Sequence, residues 1–392
     1  MTPKKTWFLF LTFAFFFSCG RTQAPVEVDR IQEDGVEVVL NHLRPYRLSG
    51  QSSELFIEKE FAVDAERPDL LERGLTDILR FDVDSYGLIY LMQPPRQNED
   101  LIFKLDGTGQ VLGSFGPCGA GPGEIQWPFH FGINSLNEIL VFDTGGNKLV
   151  AYDSSGGVIR EIPLRKAQRG GIPLENGNFL STDTEERSLE QFREISLSIY
   201  GPEFDKVRIF SSFRFPADPE LAGKINVYTP YPLLAVTRER IYLGYLGPDY
   251  EILAYDLEGA MIRKIRKEYH PEPVTDDFKK QTLSRAPKGN PIIERLYFPP
   301  DKPAFQYLFT DEFERLFVMT FETDKSSGQN ICDVFTKDGI FICRAPIGYL
   351  DIVRSFWEGL RLDVTAKNGR FYALREKEDG FKELVVSKAL WR

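Results

Sequence analysis

The chain's soft metal ligands are few: four cysteines and the histidines His42, His130 and His270. A three-imidazole site needs ligands that converge. These three lie in unrelated parts of the sequence: His42 near the start, His130 on an apolar stretch and His270 in a proline-rich segment. Carboxylates offer more. Asp82, Asp84, Asp143, Asp183 and Asp311 are candidates for an all-oxygen Ca²⁺ site, although Asp84 and Asp311 read as turn residues. There is no Gly-x-Ser-x-Gly elbow, phosphate loop or His-Glu-x-x-His motif, and Glu185-Glu186 reads as a solvated pair. No catalytic residue is therefore assigned. Cys332 and Cys343 flank a Thr-Lys-Asp-Gly turn. If Phe335 faces Ile340 they are directly opposed, either as a cross-strand disulfide or as two buried thiols. Cys118 stands alone in a glycine-rich loop.

These residues must be placed by a repeat. Pro128 to Leu164 alternates apolar runs of four to eight residues with Ser-Leu-Asn, Asp-Thr-Gly-Gly-Asn and Asp-Ser-Ser-Gly, the pattern of a β-meander. Related copies cover 77–116, 171–213, 231–265, 305–347 and 359–390, with a mean period of about 56 residues. Six units of this kind predict an all-β chain folded as a six-bladed β-propeller with four-stranded antiparallel blades. The sixth unit ends after its third strand. Ser53 to Phe61, SELFIEKEF, is a spare strand that would pair beside Phe381–Lys388 and close the last blade.

In such a disc the first-to-second and third-to-fourth turns share one face, and here they are short. The other face carries Gln93 to Asp100, Gly116 to Pro128, Pro216 to Pro232 and an insertion over 268–303 with seven prolines. Loops longer than about 12–15 residues are uncommon unless functional or disordered, so the elaborated face is the candidate binding face; the alternative is a brace. Trp127, His130, Arg187, Tyr228, Tyr231, Tyr250, His270, Arg285 and Trp357 are its candidate lining. Within the insertion, Thr275 followed by Asp276 and Asp277 would cap a short helix running through Arg285.

Composition narrows the partners. Hydrophobic residues make up 42% and charged ones 27%, which excludes a disordered polymer or a polytopic membrane protein. A net charge of −10 argues against a nucleic-acid groove. Lys4 and Lys5 precede an apolar run from Trp7 to Phe17, too short to span a bilayer but suited to a secretory leader.

Two resemblances add to this. Phe16-Phe17-Ser18-Cys19 resembles the bacterial lipobox, which implies a signal peptide over 1–18, acylation of Cys19 and attachment to a membrane. Residues 19–52 would then be the lipidated N-terminus and tether, and 53–392 the propeller. The address is the bacterial envelope, at the outer membrane facing the periplasm. Gly121-Pro122-Gly123-Glu124, Val141-Phe142-Asp143-Thr144-Gly145-Gly146-Asn147 and Ala151-Tyr152-Asp153 resemble an NHL-type repeat, and the mature chain resembles bacterial six-bladed propeller lipoproteins. The expectation is an exported, lipid-anchored binding module presenting its loop-rich face to a peptide, glycan or envelope protein. The alternative is a metal-dependent hydrolase or lyase with a carboxylate-lined channel site.

Overall fold

Successive side chains of a strand point to opposite faces, and inner strands of the blades are covered on both. In Ile89–Met92 all four residues are buried: Ile89 and Leu91 pack into one apolar cluster, Met92 and Tyr90 into the next. That is why the repeats read as continuous apolar runs. The computed structural model describes residues 28–48, 50, 52–165, 168, 170–187, 192–216, 224–228, 232–284, 291–348, 350, 353–355, 359–361, 363–377 and 380–392. They form six four-stranded antiparallel blades in a propeller arrangement, as the repeat predicts.

Blades 1 to 5 span 80–117, 128–163, 172–216, 232–267 and 307–347, each in the order of the chain. Blade 6 takes three strands from 364–391 and its fourth from Leu55–Asp64. That strand runs antiparallel to Lys382–Trp391, from Leu55 opposite Trp391 to Asp64 opposite Glu383. The N-terminal strand therefore closes the last blade. Six buried apolar clusters fill the six seams between neighbouring blades, so the core is itself a ring.

Turn chemistry repeats with the blades. Asp106, Asp153 and Asp256 each open a third-to-fourth turn, and their Oδ1 accepts from two backbone N–H groups two and four residues on. Gly156 closes one such turn at φ +88°, where an added Cβ would come within 2.6 Å of Phe115. In blades 1 to 5 the third strand pairs with a bulge in the fourth just beside this turn. The observed register corrects the expected cysteine pairing. Phe335 faces Phe341, not Ile340, and with the bulge this places Cys343 opposite Val334 and Cys332 opposite Ala345; both thiols are free and buried. Burial raises the pKa of Cys343 to about 11 and pushes Cys332 well above its ordinary value.

A second correction concerns the tether. Asp29–Glu33 and Val36–Asn41 form a hairpin whose second strand lies parallel to the outermost strand of blade 4, Met261–Lys267, making a six-stranded sheet. Val38 and Val39 are fully buried there. Sequence reading missed it because the run is short and charge-rich. Its charges are answered across the sheet: Glu37 by Arg30 and Arg263, and Glu33 by Lys264 and Arg266.

Asn41 locks this addition in place. Its side-chain amide donates to the carbonyls of Arg266 (3.1 Å) and Gly339 (2.9 Å), and its oxygen accepts from the Phe341 N–H (2.8 Å). One buried side chain thus ties the hairpin to blades 4 and 5 together. Asn41→Ala leaves these groups without partners and should cost about 1–3 kcal/mol, read as a lower urea midpoint with an unchanged far-ultraviolet spectrum.

Candidate functional site

The insertion after blade 4 is partly structured. Asp276–Ser284 is a helix; the Thr275 hydroxyl accepts from the Phe278 N–H at 3.2 Å, the cap expected from the sequence. Leu296–Tyr297 pairs in parallel with Ile225–Asn226, so the two longest connections meet each other. Phe278 stacks on Tyr228, whose ring also meets Phe321 of blade 5 edge-on. The insertion therefore braces the seam between blades 4 and 5, and beneath it lies a cleft of about 390 Å³.

The floor of the cleft is charged. Lys267 ends blade 4, and Asp333 lies on the third strand of blade 5, directly opposite Arg344 on the fourth. Asp333 is fully buried and Lys267 nearly so. Their charged atoms are 3.4 Å apart, and the Tyr250 hydroxyl donates to the same carboxylate oxygen at 2.9 Å. The ammonium also sits over the Tyr250 and Phe341 rings, at 5.2 and 4.7 Å from their centroids. Burial raises the pKa of Asp333 and lowers that of Lys267, each opposed by the charge of the other. Among the described residues Asp333 Oδ1 has no hydrogen-bond donor; Arg344 Nε stands 3.6 Å away, too far for one. Above this floor Arg344 pairs with Glu322, and Lys302 with Glu272 at 2.9 Å.

No family model and no curated protein matches the chain. Solved structures do. A Bacteroides fragilis protein described as a "Putative exported protein" is 12% identical, with a TM-score of 0.51 over 91% of this chain and 99% of that one. A member of the duf4221 family from Bacteroides vulgatus is 11% identical (TM-score 0.49; 87% and 100% covered). A gluconolactonase from Xanthomonas campestris is 12% identical (TM-score 0.41; 89% and 99% covered). At such identities the likeness shows the propeller fold alone.

The nine residues expected on the loop-rich face separate. Tyr250 and His270 line the cleft, and Tyr228 lies under the helix beside it. Tyr250 and Tyr228 are buried, so they shape the site from behind. Trp127 ends the loop that leads into blade 2 and is 62% exposed, and His130, on the first strand of that blade, packs edge-on against Phe142. Arg187 ends the second strand of blade 3, and only its backbone is described. Tyr231, Arg285, Trp357 and Cys19 lie outside the described residues.

The five channel carboxylates are dispersed and engaged. Asp82 accepts from the backbone N–H groups of Ile133 and Val83 and stands 3.4 Å from Lys367. Asp84 and Asp311 hold turns, Asp143 ties Gln126, Trp127 and Gly145 together, and Asp183 is met by Ser198, Tyr200 and Lys206. Among the described residues no three acidic, histidine or cysteine side chains gather as a metal site.

Lys267, Asp333, Arg344, Glu322 and Lys302 escaped sequence reading. The signal available was Asp333 inside the apolar run ICDVF, a charge where a strand is covered on both faces.

Two outcomes follow from these electrostatics. Asp333→Ala strands the Lys267 ammonium and should destabilise by about 3–5 kcal/mol, whereas Asp333→Leu with Lys267→Met should restore most of the loss; denaturant melts of the three proteins decide it. At the rim, His42 lies 3.2 Å from Glu268 and 3.0 Å from Asp29, and these hydrogen bonds raise its pKa above the ordinary 6.5. The imidazolium's contribution is complete below about pH 6.5 and is lost as pH rises through the raised value. His42→Ala should therefore lower the melting temperature in mild acid and leave it unchanged at alkaline pH.

Proposed function

We propose that the protein is an exported, lipid-anchored binding module, and that the cleft between blades 4 and 5 is where it takes its ligand or partner. The buried Lys267–Asp333 pair carries this reading. A buried ion pair is commonly no more stable than apolar side chains of similar volume, and this one lies beside the apolar cluster that already fills the same seam. Charged groups gathered in a cleft are a feature that functional sites share. The leader and the lipobox-like Cys19 support an envelope address, at the outer membrane facing the periplasm, and the turns around Asp143 and Asp153 support kinship with NHL-type propellers.

Address and binding are tested together. Cys19→Ser should move the protein from the membrane fraction to the soluble periplasmic fraction. Arg344→Ala with Lys302→Ala should keep the fold and the membrane fraction but abolish recovery of whatever the wild-type protein captures from detergent-solubilised envelope. Unchanged capture by the double variant would move the working surface away from this cleft.

A further inference from the structure

We infer that the cleft takes a neutral, hydroxyl-rich ligand, a mono- or disaccharide; this deepens the reading of the cleft as a binding site and rests on it. The charge balance points there first. Apart from His270, the cleft is lined by three basic side chains and three carboxylates, and all are paired: Lys267 with Asp333, which Arg344 also faces at 3.6 Å, Arg344 with Glu322, and Lys302 with Glu272. A charged ligand would have to displace a partner and leave it uncompensated at low dielectric. A neutral ligand leaves all three pairs intact and uses their spare capacity.

That capacity alternates donor and acceptor. Arg344 has five N–H donors, and Asp333 Oδ1 is a buried acceptor without a hydrogen-bond donor among the described residues. The 3.6 Å between Arg344 Nε and that oxygen is closed by a group that accepts from the guanidinium while donating to the carboxylate. A hydroxyl does both with one atom; a carboxylate or an ammonium does only one. Beside these groups Tyr269, Phe321 and Pro271 supply apolar surface for the C–H faces of a sugar ring. The volume falls within the range of small-ligand pockets, about 300–1,000 Å³. An extended peptide of the strand-addition kind would need an open strand edge for its backbone, and the cleft is lined by side chains.

The test titrates the mature protein in detergent with glucose, galactose, mannose, N-acetylglucosamine, maltose and cellobiose, and with glucuronic acid and glucosamine as charged twins, by calorimetry and ligand-observed NMR. At least one neutral sugar should bind saturably, with its charged twin about tenfold weaker, the loss of one charge-assisted hydrogen bond. Glu322→Gln removes the carboxylate that neutralises Arg344. It should weaken the neutral sugar by about tenfold and reverse the preference towards glucuronic acid, with an unchanged circular dichroism spectrum. Should that variant fail to fold, Arg344→Lys keeps the charge, removes the planar fork and should weaken the neutral sugar alike. Binding of no sugar, equal or tighter binding of a charged twin by the wild type, or indifference to these variants overturns the inference. If sugars fail while envelope capture still depends on Arg344 and Lys302, the binding reading stands and the saccharide falls. If capture is also indifferent to the cleft, both fall.

Discussion

Everything in this molecule depends on each blade being covered by a neighbour on both faces. A strand such as Ile89–Met92 sends alternate residues into two different clusters, so an uncovered blade would expose an entire apolar face. Only a closed ring meets that requirement six times over. Closure falls to the pairing of Leu55–Asp64 with Lys382–Trp391, which joins residues more than 300 positions apart in the chain. Two ends of one polypeptide complete one sheet, and the remaining seams gain their second wall as a result.

The same logic explains why the segment before the closing strand is structured. The outermost strand of each blade is an edge, and bare edges invite pairing with other chains. At blade 4 the Asp29–Asn41 hairpin covers that edge, and Asn41 extends the attachment to blade 5. The hairpin ends at the mouth of the cleft, where His42 meets Glu268 and Leu43 lines the rim. The edge, the insertion and the buried ion pair all gather on the seam between blades 4 and 5, and this seam differs from its neighbours for that reason.

Much of the fold was legible in the chain itself. The strand-turn-strand repeat, the missing sixth-blade strand and its spare copy at SELFIEKEF follow from short apolar runs and from the turn composition between them, both local properties. The candidate site was legible only in part. Tyr250, Tyr228 and His270, expected on the loop-rich face, gather at the cleft; Trp127 and His130, expected on the same face, lie at the start of blade 2. Register resisted sequence reading for a different reason. In blade 5 the turn pairs Phe335 with Phe341 instead of Ile340, and one bulge residue adds a second step, so Cys343 moves from opposite Cys332 to opposite Val334; shifts this small leave no mark on an apolar run.

By itself, then, the sequence determined the kind of strand, the number of blades and the device that seals them, since each is written in neighbours a few positions apart. Tertiary structure alone decided that the presumed tether pairs with blade 4, and that Lys267, Asp333 and Arg344 share one cleft. Those outcomes bring together residues from positions 41, 267, 333 and 344, and whether a charge among them is solvated or buried and paired depends on which blades become neighbours in space.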